Sequence, residues 1–492
     1  MRIEDLLIRQ STNDKKAIYY FDKSLSYREW YQESNKIANV IKNLTDNSSR
    51  NIGLYLPNSI NYAVAYFGVL FSKKVVIPIG IQAKFPEIFS TVEYCELDLI
   101  ITESKYVSEI INNMKYRYKL ILYLIDENRD IVFNAEQKFL NKTNTIFFEG
   151  SDDDVAIMLH TSGTTDNPKR VMLTHKNIIT NIESNIASLM LTSNDKVLIA
   201  LPMFFGYCNT AQFLTHTYLG ASMFIMNTIF FPKKFFEIVE KEHISNFTAV
   251  PTMLLMILEY NYSNKYDYSS LRYICFGGGI MPNSKLEKLI KKYTSIGFVQ
   301  TYGQTECSPR VTALLPSESL TKLGSVGLPI PNVIVEIMND GKICEPGKLG
   351  EIVVSGLNVF KGYYKNDEKT KQVKINGWLH TGDIGFKDMD GYLFITGRTK
   401  SMIISGGINI YPEEIEQVIL QIKGVKDVIV YGVSDDMLGE VVCAKVVCYK
   451  HKCNFENTIK DYCRQMLAPY KVPKIIEFVE KINKTYNGKN RR

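Results

Sequence analysis

The chain is 492 residues long, 45% hydrophobic and 22% charged, with a net charge of +6. That length exceeds a single ordinary hydrophobic core and calls for at least two domains. The composition is that of a soluble globular protein, and a positive charge this mild and dispersed speaks against nucleic acid as a partner. The one local basic group, Lys285, Lys288, Lys291 and Lys292, falls at helical spacing and reads as a solvated helix face.

Nine cysteines lie scattered, at positions 95, 208, 275, 307, 344, 443, 448, 453 and 463. An odd, unpatterned set in a large chain points to a reducing compartment, and the expected location is the cytoplasm. Cys443, Cys448 and Cys453 with His451 sit in a strand-like run at a spacing that suits no common zinc motif. The first residues carry acid and lack a long apolar core, so no signal peptide is expected. The longest apolar stretch, 62–71, is too short to span a bilayer, and no membrane span is expected.

From about residue 50 to 310, short apolar runs alternate with helical patterns. Residues 52–56, 75–79, 97–101, 155–159, 197–201 and 247–250 read as buried strands; 60–72, 232–243 and 283–293 read as amphipathic helices between them. Residues 171–189 read as a helix preceded by one more short strand. This alternation is the signature of parallel α/β layers with helices on both sheet faces. Residues 324–395 change character, with glycine-punctuated strands at 330–337, 350–356 and 392–395, the pattern of a small β subdomain. After Gly397-Arg398-Thr399-Lys400 a helix (412–421), two strands (425–433, 441–449), a helix (454–466) and a strand (475–479) form an α+β module large enough for its own core.

The motifs that carry chemistry lie along this frame. Thr161-Ser162-Gly163-Thr164-Thr165-Asp166-Asn167-Pro168-Lys169 follows a strand and packs hydroxyls, a glycine and a lysine into one loop. Backbone N–H groups and hydroxyls there can donate to phosphate oxygens, and Lys169 supplies the countercharge. The spacing is not that of a Walker loop. Thr301-Tyr302-Gly303-Gln304-Thr305-Glu306 follows the strand at 297–300 and offers a flat ring for a base, a hydroxyl for a phosphate and a carboxylate able to hold Mg²⁺. Gly377-Trp378-Leu379-His380-Thr381-Gly382-Asp383 reads as a tight glycine turn presenting one carboxylate, suited to a ribose diol. Arg398 adds a cation with directional donors. Lys489 stands in the tail.

In that order these motifs resemble the superfamily of acyl- and aryl-CoA synthetases, nonribosomal-peptide adenylation domains and firefly-type luciferases, with matches from residue 161 to 489 and the acyl- and aryl-CoA ligases nearest in pattern. The resemblance implies an α/β fold: a large N-terminal domain of two α/β layered subdomains and a small β subdomain (1–396), a hinge (397–400) and a small α+β lid (401–492). It implies activation of a small carboxylic acid by Mg-ATP to an acyl-adenylate, with release of pyrophosphate. The acyl group then passes to a thiol, that of CoA or of a carrier protein's phosphopantetheine. By resemblance, Thr161, Ser162, Gly163, Thr164, Thr165 and Lys169 hold the β- and γ-phosphates; Thr305 touches the α-phosphate and Glu306 binds Mg²⁺. Tyr302 stacks on adenine, with Gly278, Gly279 and Ile280 on its other side. Asp383 and Arg398 hold the ribose, and Lys489 bridges the substrate carboxylate and the α-phosphate. Lys400 matches the hinge position, and Gly406 and Gly407 leave room for a pantetheine arm.

The family usually has glycine where this chain has Asp166 and Arg170. Glycine allows backbone conformations that cost other residues roughly 1–2 kcal/mol, and Asp166 brings negative charge towards phosphates unless it points away or pairs with Arg170. The expected acyl pocket comprises Phe204, Phe205, Tyr207, Cys208, Val250, Phe276 and Gly303, with Phe247 as further apolar lining. No Asp or Glu occurs from Lys196 to Phe236 to pair with an α-ammonium, so a free amino acid would bury an uncompensated cation. The aromatic run favours an aryl acid, with a medium acyl chain next. Two other readings share this sequence: a degenerate nucleotide-binding protein with little turnover, separated by ATP–pyrophosphate exchange, and a luciferase-like oxygenase, separated by oxygen uptake.

Overall fold

The computed structural model describes residues 1–46, 48, 50–111, 120–133, 150–161, 169–279, 281–405, 408–435, 439–449, 455–467 and 469–482. Four sheets organise them. The largest runs, edge to edge, through Leu328–Pro329, Arg310–Leu314, Gly297–Gly303, Tyr273–Phe276, Asn246–Ala249, Lys196–Ile199, Ser222–Ile225, Lys16–Tyr20 and Lys23–Ser26. Its six central strands are parallel and its two edges antiparallel. The second sheet orders Gly362–Tyr363, Lys169–Thr174, Val155–Thr161, Val75–Pro78, Asn51–Tyr55, Leu99–Thr102, Leu120–Leu124 and Arg129–Phe133.

These strands are short, rich in branched residues and buried on both faces, as in Leu99–Thr102 and Val75–Pro78. That is what helices covering both sides of a parallel sheet require. The stretch 62–71 forms most of the helix Ile60–Phe71, in which nine of twelve residues are buried. An apolar surface all around marks a helix enclosed on every side. Its ring cluster with Trp30 and Phe213 fills the space between the two sheets, with Trp30–Phe67 centroids 5.1 Å apart and Tyr66–Phe213 centroids 5.3 Å apart. Gly68 permits the crossing, since a Cβ there would lie 2.6 Å from Ile37 Cγ2.

Helix starts follow local chemistry. The Ser26 hydroxyl accepts from the Glu29 N–H at 3.2 Å while the Glu29 carboxylate accepts from the Ser26 N–H at 2.7 Å, opening the helix Tyr27–Leu44. Thr174 and Asn177 repeat the arrangement at the start of His175–Leu189, directly after the strand Lys169–Thr174. Such reciprocal caps satisfy two otherwise orphaned donors.

The third sheet is antiparallel and contains Val333–Asn339, Gly350–Gly356, Trp378–Lys387 and Leu393–Arg398. The fourth, built from Ile403–Ser405, Ile408–Ile410, Val425–Asp435, Gly439–Cys448 and Ile475–Phe478, packs with the helices Pro412–Ile419 and Phe455–Met466 around a core of its own. The chain is thus an α/β protein with two layered units, a β unit and a small α+β unit. Two expectations need correction. Asp383 does not sit in a tight turn: it lies within the ten-residue strand Trp378–Lys387, and Gly382 takes its positive φ of 73° inside that strand. The strand before the Tyr302 motif continues to Gly303, which places Tyr302 on the strand itself. Among the described residues, no helix is long and apolar enough to cross a membrane, and no group of three or more His, Cys, Asp and Glu is placed to hold a metal. His451 and Cys453 lie outside the described residues.

Candidate active site

In open α/β sheets the carboxyl ends of the parallel strands leave a crevice where ligands bind. The predicted residues gather at such ends. Phe204 and Phe205 follow Lys196–Ile199, Val250 follows Asn246–Ala249, Gly277–Gly279 follow Tyr273–Phe276, and Tyr302 and Gly303 close Gly297–Gly303. From the second sheet, Val155–Thr161 delivers the start of the hydroxyl-rich loop and Lys169–Thr174 its end. Gly206 brings the two sheets' contributions together, because a Cβ there would lie 3.1 Å from Leu159 and 3.8 Å from Thr305.

One cluster centres on Asp383, which is 2% exposed. Its Oδ2 accepts from the Tyr302 hydroxyl at 2.6 Å, and its Oδ1 pairs with Arg398 Nε at 2.6 Å. The pairing follows from register, since Asp383 and Arg398 are opposite each other on neighbouring strands. Burial, and then the Asp383 carboxylate, push the Tyr302 phenol well above its ordinary pKa, so it stays a donor. Two donors leave a carboxylate with lone pairs to spare for a diol. Beside this cluster Gly278, at φ 78°, has open space where a Cβ would stand, so a planar group can approach the backbone. Gly279 meets only Pro251, at 3.5 Å.

A second cluster links Lys169 to Glu306. The Tyr363 hydroxyl donates to Glu306 Oε1 at 2.9 Å, and Lys169 Nζ lies 5.4 Å from the centroid of the Tyr363 ring. Glu306 is 8% exposed, and its backbone carbonyl accepts from the Phe360 N–H at 2.9 Å. Thr305 and Glu306 share one short 3₁₀ turn after the Tyr302 strand, so the strand end aims hydroxyl and carboxylate together. A buried carboxylate held by a neutral phenol beside a lysine suits a hard divalent cation shared with phosphate oxygens.

The third group is aromatic. Phe204 and Phe205 have ring centroids 4.3 Å apart, and Phe204 lies against Gly80, where a Cβ would come within 2.9 Å of its ring. The Tyr207 hydroxyl is 2.7 Å from Thr301 Oγ1. Phe204, Phe205, Tyr207 and Val250 keep partial exposure. Cys208 and Phe276, at 0% and 1%, belong to the packed interior behind them, as does Phe247. At Gly303 a Cβ would meet the Pro309 carbonyl oxygen at 1.8 Å, so only glycine fits.

Strand alternation puts Arg170 on the opposite face from Lys169. It is 3% exposed, and its Nη2 donates to Thr91 Oγ1 at 2.6 Å on the helix Phe85–Cys95. Asp166 lies outside the described residues; a carboxylate brought towards phosphates is unfavourable. Asp166→Gly is expected to lower the apparent KM for ATP or raise kcat, measured as ATP–pyrophosphate exchange across a Mg²⁺ series. A glycine variant that is weaker and needs more magnesium would assign Asp166 a metal-holding role instead.

Ser162, Gly163, Thr164, Thr165, Asp166, Ile280, Gly406, Gly407 and Lys489 lie outside the described residues, as do the side chains of Thr161 and Lys400. Two residues that sequence reasoning passed over touch these groups, Tyr363 at Glu306 and Arg310 beside the Tyr207 ring, and Thr301, named only as the start of its motif, accepts the Tyr207 contact. Only the position of Tyr363 in the aromatic pair Tyr363-Tyr364 offered a signal, and a weak one.

Two family models match this chain, the AMP-binding enzyme model over residues 8–364 and its C-terminal domain model over residues 414–489. A 2-succinylbenzoate–CoA ligase of Bacillus licheniformis is 31% identical over 97% of this chain and 96% of its own. The solved o-succinylbenzoate CoA synthetase of Bacillus subtilis in complex with ATP and magnesium superimposes with a TM-score of 0.86 at 27% identity, over 99% of this chain and 98% of that one. A double mutant of that enzyme bound with its product analogue OSB-NCoA gives 0.70 at 28% identity, over 99% and 97%. The chain belongs to the AMP-binding enzyme family. It is an acid–thiol ligase that uses ATP, Mg²⁺ and CoA to activate a carboxylic acid as its adenylate and convert it to a thioester.

Proposed function

We propose that this ligase acts on an aryl acid, with medium-chain acyl acids as secondary substrates. The observation that carries the proposal is the aromatic wall of Phe204, Phe205 and Tyr207 beside the Asp383 and Glu306 clusters, in a segment without a carboxylate from Lys196 to Phe236. A flat apolar slot stabilises a ring by burial and edge contacts. The relative named for 2-succinylbenzoate, itself an aryl acid, supports the same choice.

A carboxylate is a poor acyl donor because its leaving group would be oxide. The acid's oxygen therefore attacks the α-phosphorus of ATP, pyrophosphate departs, and AMP becomes the leaving group for the thiol. Two anions meet in the first step, so cations belong where they meet. In our reading Thr161, Ser162, Gly163, Thr164, Thr165 and Lys169 hold the β- and γ-phosphates, and Thr305 the α-phosphate. Glu306 would hold Mg²⁺, which when bound neutralises phosphate charge. Tyr302, Gly278, Gly279 and Ile280 take the adenine, and Asp383 and Arg398 the ribose. Lys489 bridges the two reacting anions and then leaves as the unit 401–492 turns about Lys400, bringing Gly406 and Gly407 to the thiol. The lower TM-score against the product-analogue complex, at equal coverage, supports two arrangements of this kind. We place the enzyme in the cytoplasm, on the strength of its eight described cysteines being free thiols. A carrier-protein phosphopantetheine remains a second acceptor chemistry, distinguished by comparing acyl transfer to CoA and to a loaded carrier.

The test is a pyrophosphate-release screen over aryl, acyl and α-amino acids. Benzoates and hexanoate are expected to give turnover and phenylalanine to give at most about a hundredth of it, as an unpaired buried ammonium requires. Robust exchange with phenylalanine and none with benzoates or hexanoate would overturn the assignment.

A further inference from the structure

Asp383, the carboxylate at the centre of the first cluster, is delivered by an irregular stretch of strand. Between the strands Gly350–Gly356 and Trp378–Lys387 the pairing holds at Glu351, opposite Ile384, and again at Val353, opposite His380. Thr381, Gly382 and Asp383 therefore face the single residue Ile352, so the second strand bulges. A bulge takes its residues out of the ladder and re-aims a side chain, and the backbone groups it frees need other partners.

Side chains supply them. The Gly382 N–H donates to Glu351 Oε1 at 2.9 Å, and the Asp383 N–H donates to Thr381 Oγ1 at 3.1 Å. The Thr381 hydroxyl gives its own proton to the Ile352 carbonyl at 2.7 Å. The other Glu351 oxygen, Oε2, accepts from His380 Nδ1 at 2.7 Å; a carboxylate can only accept, so the imidazole carries its proton there. One carboxylate thus ties the residue before the bulge to the residue in its middle, through two charge-assisted bonds of the stronger class. The pair is mostly buried, with 28% of the Glu351 side chain and 22% of His380 exposed, so water competes for it only in part.

Packing does not fix this bulge. Gly382 takes φ 73°, and nothing lies within 4 Å of where its Cβ would stand. Its conformation is held by the bond to Glu351, and Asp383 follows directly. Beyond the bulge Asp383 turns inward to Tyr302 and Arg398.

We propose that Glu351 is a positioning residue of the nucleotide site: its carboxylate, steadied by His380, sets the Gly382 bulge at the angle that aims Asp383 at the ribose diol. This rests on the reading of Asp383 as ribose-binding given above and goes beyond it. In this role Glu351 touches no substrate atom. Its effect on nucleotide binding passes through Asp383, and it exists only where the nucleotide has a diol for Asp383 to hold.

The test measures Kd for AMP and for 2′,3′-dideoxy-AMP by titration calorimetry, for which no acid has to be chosen. The wild type is expected to bind AMP at least about 10-fold more tightly than the dideoxy nucleotide, because the buried carboxylate loses both hydroxyls. Glu351→Ala should weaken AMP by on the order of 10-fold and dideoxy-AMP by less than about twofold. Glu351→Gln, whose amide oxygen still accepts from the Gly382 N–H, should restore most of the AMP affinity, with His380→Ala between the two. A Glu351→Ala that weakens both nucleotides equally overturns the proposal, since a general packing defect is blind to the diol; so does one that binds AMP as tightly as the wild type. Should Glu351→Ala not fold, His380→Ala decides by the same comparison. A wild type that binds the two nucleotides alike defeats the ribose reading of Asp383, and the role of Glu351 falls with it. A wild-type preference for AMP without selective loss in the variants defeats the role of Glu351 alone.

Discussion

Lys489→Ala is expected to cut adenylate formation by on the order of 100- to 1,000-fold, the range seen when one preorganised donor to a developing anion is removed. Thioester formation from supplied acyl-adenylate and CoA should fall less than about threefold. In the proposed role the lysine is needed only while the acid's carboxylate and the α-phosphate, both negative, are forced together. Once AMP is attached that repulsion is gone, and the thiol needs the space. Separate measurement of the two half-reactions checks it. Equal loss in both would contradict a lysine that serves one arrangement of the small unit and withdraws in the other.

The second large effect is expected at Glu306. Glu306→Gln keeps the shape and the bond from the Tyr363 hydroxyl but removes the charge, so adenylation should drop by roughly 100-fold and half-saturation should move to higher Mg²⁺. Tyr363→Phe removes only the donor 2.9 Å from Glu306 Oε1. A hydrogen bond to a charged group contributes about 1.5–3 kcal/mol, so a loss of roughly 10- to 100-fold is expected, with the same shift in magnesium dependence. Titrating Mg²⁺ against adenylation for both variants distinguishes this from a packing defect. Loss of activity with no change in the magnesium requirement would contradict a metal-holding carboxylate.

The middle of the chain was legible because its local patterns and tertiary roles agree. The run at 75–79 is apolar on both faces and is the buried strand Val75–Pro78; the 3.6-residue period at 283–293 is the helix Asn283–Lys292. Other elements give no local signal. The hairpin Lys16–Tyr20 and Lys23–Ser26 is defined by its partner Ser222–Ile225, some two hundred residues away in sequence, where Ile18 sits opposite Met223. The glycines around Asp383 read as a turn because a positive φ is rarer in strands than in turns, yet Gly382 bears one within a strand.

Among candidate site residues, those recognisable by motif were Tyr302, Asp383, Arg398, Glu306 and Lys169, and the structure brings them into two hydrogen-bonded or ring-stacked clusters. Tyr363 was missed because its function lies in a contact with Glu306 from 57 residues away. Arg310 was missed for a different reason: a single arginine in a strand-like run normally faces solvent, and only the packing of Asn185 and Tyr207 over it shows a buried cation.

A thioester made through an acyl-adenylate is tested by a product balance with an aryl acid, Mg-ATP and CoA. Pyrophosphate, AMP and aryl-CoA should appear in equal amounts, and enzyme-bound aryl-adenylate with pyrophosphate alone when CoA is withheld. Formation of ADP and inorganic phosphate, or of aryl-CoA without matching AMP, would contradict it.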